Sequence, residues 1–195
     1  MKMNSLSKHR IKKIINCFAA ELTAIDTAQK LKIHRNTVNK YYRFIREAIA
    51  QYQEVQLQSN LTADATERYF IAWHRNTGLT LVPETDTMNY SLVVINSKVY
   101  VPAQKPGEAN GSLLSENQAT ENISPNQSIA QYFYNYAKTK LTKFYGIRPQ
   151  YADLYIKELE FRFNNQDSNL AALIWKVVSQ TDKQVESIPT KVTAQ

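Results

Sequence analysis

Apolar residues recur at helical spacing through the first fifty positions. Ile11, Ile14, Ile15, Phe18 and Leu22 share one face, and Lys8, Arg10, Lys12 and Lys13 occupy the others. Ser7 or Ser5 offers an N-cap, and Leu22 ends this first helix. Thr23 caps a second helix over Ala24–Leu31. After a break at Lys32-Ile33-His34, a third helix runs from Arg35 to about Gln53, apolar at Val38, Tyr41, Ile45, Ala48 and Tyr52. The pattern then shortens to β-type runs separated by turn residues. Tyr69–Trp73, Leu79–Val82, Ser91–Ile95 and Lys98–Val101 read as strands, and Asn96-Ser97 reads as a hairpin turn. Residues 103–127 are polar, with Pro106-Gly107 and Gly111, and predict a long loop or linker. Helical spacing returns from Ser128 to about Phe144, with Ile129, Phe133, Ala137 and Leu141 inward. A further helix is expected from Pro149 to Phe163, with Leu154, Tyr155, Leu159 and Phe163 inward, and another over Asn169–Gln180. The fold class is therefore α+β: a three-helix head, a β-rich middle and a helical tail.

Composition narrows the function. The chain has 195 residues, 43% of them hydrophobic and 11% aromatic, which is enough for a packed core. A lone cysteine, Cys17, excludes an intramolecular disulfide framework and a zinc finger, and three His make a His-rich metal site unexpected. No apolar run reaches membrane-spanning length, and the basic N-terminus lacks a signal-peptide core. These features predict a soluble, intracellular, cytoplasmic protein without a membrane partner. The net charge is +7, but residues 1–50 carry 11 Lys+Arg against 3 acids. Residues 51–130 are net acidic, and residues 131–195 are mildly basic. Contact with a polyanion is thus expected at the head.

The head fits a helix-turn-helix position by position. Ala28 is small where the two helices would cross, Leu31 and Ile33 flank the turn, and Val38 and Tyr41 point back to the core. Lys32 stands where such turns usually carry Gly, so a left-handed conformation is expected there. The outer side of the second helix of the pair presents His34, Arg35, Asn36, Asn39, Lys40 and Arg43. Arg and Lys reach guanine edges or phosphates, and Asn pairs with an adenine edge. Lys8, Arg10, Lys12 and Lys13 would hold phosphates. Lys138, Lys140 and Lys143 form a secondary basic face.

Placed in order, these pieces resemble the bacterial insertion-sequence transposases of the acidic-triad (DDE) type. The resemblance rests on Ile33-His34-Arg35-Asn36-Thr37-Val38-Asn39-Lys40-Tyr41-Tyr42 and on Ala137-Lys138, Leu141, Lys143-Phe144 and Gly146-Ile147. Its most specific block is Tyr155-Ile156-Lys157-Glu158-Leu159-Glu160-Phe161-Arg162-Phe163-Asn164-Asn165. In the middle it covers only Asp64 to Phe70 and Ser91 to Tyr100. The family implies an N-terminal helix-turn-helix before a ribonuclease-H-like core whose carboxylates hold metal ions. Here that core would be a truncated remnant, a small sheet with C-terminal helices. The implied division is a DNA-binding domain at 1–55, a β-rich remnant at 56–102, a linker at 103–127, helices at 128–182 and a tail at 183–195.

The departures concern the catalytic centre. The position of the first Asp reads Thr66, and Asp64 fits only with a two-residue shift. The segment carrying the second Asp has no counterpart, since Val101–Ser128 contains no Asp. The Glu position reads Gln131. Two-metal phosphoryl transfer needs carboxylates around ions about 3.5–4 Å apart, and a neutral Gln does not balance that charge. The expected function is therefore a transposase-derived, sequence-specific binder of double-stranded DNA without catalysis, acting as a regulator or domesticated remnant and needing no cofactor. Two alternatives stay open. One is a working enzyme that uses Asp64 with Glu67 or Asp86 and Mg²⁺. The other is a protein-interaction module in which the apolar faces of Tyr151–Phe163 and Leu170–Val178 pair with a second copy or another protein. Cys17 reads as a small core residue, His74 as structural, and the aromatic cluster Tyr132, Phe133, Tyr134 and Tyr136 as core and interface.

Overall fold

The computed structural model describes residues 6–60, 68–74, 78–80, 87–102, 112–113, 125–141 and 149–187. Its elements, in chain order, are helices α1 (Lys8–Ala19), α2 (Ala24–Leu31) and α3 (Arg35–Asn60), then strands β1 (Arg68–His74), β2 (Gly78–Thr80), β3 (Thr87–Ile95), β4 (Lys98–Tyr100) and β5 (Ser112–Leu113). Helix α4 (Pro125–Leu141), a 3₁₀ turn at Pro149–Tyr151, α5 (Ala152–Asn164) and α6 (Leu170–Ser187) complete it. The class is α+β, as expected. The chain divides into two compact units, Met1–Tyr52 with Asp167–Gln195, and Gln53–Gln166. The expected C-terminal helical segment is thereby shared out: α4 and α5 belong to one unit and α6 to the other.

In the first unit the caps follow from the sequence. Ser7 Oγ accepts the Arg10 N–H at 3.4 Å and starts α1. Thr23 Oγ1 accepts the Asp26 N–H at 3.2 Å and donates to Asp26 Oδ2 at 2.6 Å, which starts α2. Helix α1 stops at Ala19 rather than Leu22, because the chain reverses there. Leu22 N–H bonds Cys17 O and Glu21 N–H bonds Phe18 O, with Glu21 left-handed at φ 58°. Helix α2 ends the same way. Ile33 N–H bonds Ala28 O, Lys32 N–H bonds Gln29 O, and Lys32 takes φ 51°, ψ 51°, the expected conformation. Each non-Gly residue held left-handed costs about 1–2 kcal/mol.

Ile11, Ile14, Ile15, Cys17 and Phe18 of α1 and Val38, Tyr41, Tyr42 and Ile45 of α3 are buried. Each large apolar side chain so buried contributes about 1.5–3 kcal/mol. Phe18 meets the Tyr42 ring edge-on at 5.0 Å. The Tyr42 hydroxyl donates to Leu22 O at 3.0 Å, so its oxygen accepts from Thr27 Oγ1 at 2.7 Å. That one phenol ties α3 to α2 and to the α1–α2 turn. Leu31 and Ile33 are half-buried rather than filling the core. Asn169 Oδ1 accepts the Ala172 N–H at 3.1 Å and caps α6, which packs along α1 with Ile174, Val177 and Val178 buried.

In the second unit the sheet order is β2-β1-β3-β4, all antiparallel, and β5 pairs in parallel with Tyr69 and Phe70 of β1. β5 lies inside the segment expected to be a plain loop, where no alternation of apolar residues marks it. Asn96 and Ser97 both have positive φ, as a two-residue hairpin turn requires. Leu92 and Val94, with Val99 and Val101, face α4 and α5 through Phe133, Tyr134, Ala137, Ile156 and Leu159. Val93, Ile95 and Tyr100 pack on the other face with Leu57. This second contact explains why α3 continues to Asn60 instead of stopping near Gln53: its last turns have a sheet face to cover.

Helix α5 is buried almost all round, from Ile156 to Arg162, not along one stripe. Its polar side chains serve the fold. Asn164 Oδ1 accepts the Val99 N–H at 2.9 Å, and its Nδ2 donates to Val99 O at 2.6 Å, closing the outer edge of β4. Glu160 Oε2 accepts the Val101 N–H at 3.1 Å.

Candidate nucleic-acid interface

His34 sets the start of α3. Its Nδ1 accepts the Asn36 N–H at 3.2 Å, and its carbonyl accepts from Thr37 and Val38. Asn36, Asn39, Lys40 and Arg43 follow at i, i+3, i+4 and i+7, a single helical stripe opposite buried Val38, Tyr41 and Ile45. His34, Arg35, Asn36, Asn39, Lys40 and Arg43 are all exposed. No side-chain hydrogen bond or ion pair among the described residues holds Arg35, Asn36, Asn39 or Lys40. Arg43 differs: its Nε lies 2.8 Å from Glu47 Oε1, one turn on. Both partners are exposed, so the pair adds little stability.

Lys8, Arg10, Lys12 and Lys13 are exposed along α1. Lys12 Nζ sits 4.9 Å from the centroid of the Trp175 ring on α6. Arg46 is half-buried over the rings of Phe18 and Tyr42, at 5.3 and 5.9 Å. Trp175 escapes a reading of the sequence because nothing within α6 links it to residue 12; only the packing of α6 on α1 brings them together.

The weak catalytic candidates Asp64, Glu67 and Asp86, and Thr66, lie outside the described residues. So does Lys143 of the secondary basic face. Gln131 is half-buried on α4. Lys138 and Lys140 stand over the rings of Tyr134 and Tyr136, at 5.8 and 5.6 Å. Tyr132 projects into solvent, whereas Phe133 and Tyr134 are core residues. Cys17 is buried. Among the described residues no three His, Cys, Asp or Glu side chains gather to hold a metal ion.

One polar cluster went unforeseen. Glu160 is fully buried and accepts from Gln53 Nε2 at 2.7 Å as well as from Val101 N–H, while Lys157 Nζ lies 3.1 Å from its Oε2 and 3.8 Å from Glu54 Oε2. Burial raises the Glu160 carboxyl to about 7, against the opposing pull of Lys157 and of the two hydrogen bonds. Glu158 and Arg162 form a second buried pair at 2.8 Å. Burial, with Asp153 at 2.9 Å, also pushes the Tyr90 phenol well above its ordinary value.

No protein-family model matches the chain, and no solved structure matches it. A 35-residue stretch, 18% of this chain, is 51% identical to an uncharacterized transposase-like protein of Haemophilus influenzae. The matched stretch spans 28% of that protein. This is a partial relationship to a transposase-like sequence. No helix among the described residues is long and apolar enough to cross a membrane.

Proposed function

We propose that the chain is a transposase-derived DNA-binding protein that reads duplex DNA with a helix-turn-helix formed by α2, the turn at Lys32 and α3. The observation that carries this reading is the free outer stripe of α3: Arg35, Asn36, Asn39 and Lys40, exposed and uncommitted, on the most basic part of the chain. Asn36 and Asn39 have the donor–acceptor pair that recognises an adenine edge, and Arg35 and Lys40 suit guanine or phosphate. The cations of α1 supply sequence-independent attraction. The partial likeness to a transposase-like protein agrees with this origin.

In this reading the sheet with α4 and α5 is the remnant of a ribonuclease-H-like core, and it is catalytically silent. Gln131 takes the place of a metal-binding Glu, and Val101–Ser128 offers no Asp. Burial of Ile156, Leu159 and Phe161 of α5 and of Ile174, Val177 and Val178 of α6 within this chain favours the DNA-binding reading over the interaction-module alternative.

Fluorescence anisotropy with duplex DNA across a salt series tests the reading. Four phosphate contacts from α1 alone predict a slope of log K against log[salt] near about −3.6. Selection from randomised duplexes should return a shared half-site, and Asn36→Ala or Asn39→Ala should weaken binding to it by about 1–3 kcal/mol while sparing random DNA. Affinity that ignores salt, or a selection without any shared sequence, would overturn the reading.

A further inference from the structure

We infer that α6 completes the DNA-binding unit, with Trp175 as a positioning residue that holds Lys12 toward a DNA phosphate. The inference rests on the DNA-binding reading above and extends it to a helix more than a hundred residues further along the chain. Three observations carry it. α6 is part of the same compact unit as α1 and packs along it, with Ile174, Val177 and Val178 buried. Trp175, next to Ile174, turns its ring under the Lys12 ammonium at 4.9 Å. Lys12 nonetheless stays exposed, and Lys176 beside the tryptophan is exposed as well.

An ammonium above an indole face is attracted by the ring quadrupole, and the indole is the best aromatic partner for it. The contact takes up one side of the ammonium and leaves its other N–H groups to solvent. A free lysine has to give up most of its rotamer freedom to hold a phosphate. Lys12 has already given up part of that freedom in the unbound protein. The ring thus lowers the cost of binding without touching the DNA, which is preorganisation. The DNA-binding unit is then discontinuous: three N-terminal helices closed by a fourth from the C-terminal end.

The test uses the full chain and a random duplex in a salt series, with far-UV circular dichroism as the control for folding. Trp175→Leu keeps apolar bulk against α1 but removes the ring face, and Trp175→Phe keeps a ring. Trp175→Leu should lower affinity about two- to five-fold and flatten the salt slope toward that of Lys12→Ala, by up to about 0.9. Trp175→Phe should recover part of both. In the double variant Trp175→Leu with Lys12→Ala, the loss should equal that of Lys12→Ala alone, because the tryptophan acts only through the lysine. Additive losses, or a wild-type slope in folded Trp175→Leu, would overturn the inference and leave the DNA-binding reading intact. Failure of the wild-type protein to bind duplex DNA with any salt dependence would overturn both.

Discussion

Glu160 should make the second unit less stable as pH rises from about 4.5 to about 7. Its carboxyl is fully buried, and burial lifts it to about 7 in the folded chain from 4.5. Across that interval the folded state keeps a proton that the unfolded state has lost. Stability therefore falls with rising pH, because the unfolded chain binds fewer protons. The contribution is fully present below pH 4.5 and gone above about 7. The shift spans about 2.5 pH units, so the swing is about 3 kcal/mol. The Val101 N–H, which donates to Glu160, reports on this site. Native-state hydrogen exchange at that amide, corrected for intrinsic rates and expressed as an opening free energy, should be followed from pH 4.5 to 8. Glu160→Gln keeps the shape of the side chain and removes the titration. The opening free energy of the wild type should fall relative to the variant by about 3 kcal/mol over the interval, with a plateau at each end. Parallel curves for the two proteins would mean that the buried carboxyl does not titrate in this range.

Other consequences are simpler. Lys32→Gly relieves a left-handed non-Gly residue and should raise the thermal midpoint by a few degrees, about 0.5–1 kcal/mol after the entropy of the new glycine is subtracted; a lower midpoint would contradict the strain argument. Tyr42→Phe removes the hydroxyl that joins Thr27 to Leu22 and should cost about 1–3 kcal/mol in urea unfolding, and adding Thr27→Val should cost less than the two separate losses combined. Asn164→Ala strips the outer edge of β4 of both its side-chain bonds, and exchange at the Val99 amide should rise by at least ten-fold; an unchanged rate would mean the edge is protected some other way.

Much of the head was legible from local signals. Ser7 and Thr23 act as caps, Lys32 adopts the left-handed turn, and Val38 and Tyr41 point inward while Arg35, Asn36, Asn39, Lys40 and Arg43 point out. The strands also stood out, because the Ser91–Ile95 run and the Asn96-Ser97 turn are local features. What failed to show was set by distant packing. Lys157, Glu158, Glu160 and Arg162 have the composition of a solvated helix face. They are buried because α5 fills the space between the outer edge of β4 and the last turns of α3, where each charge finds a partner. The length of α3 and the place of α6 were hidden for the same reason. An apolar stripe tells that a helix will be covered, but not by which part of the chain. The candidate catalytic carboxylates Asp64, Glu67 and Asp86 lie outside the described residues, and the proposed loss of catalysis follows from Gln131 and the lack of Asp between Val101 and Ser128.

On the proposed reading, α3 recognises duplex DNA through Arg35, Asn36, Asn39 and Lys40. The most direct measurement is a salt-dependent anisotropy titration of the wild-type chain beside Arg35→Ala with Lys40→Ala. Affinity should fall steeply with salt, and the double variant should bind at least ten-fold more weakly with a slope reduced by up to about 1.8. Equal affinity and equal slope for the two proteins, both folded, would contradict that reading.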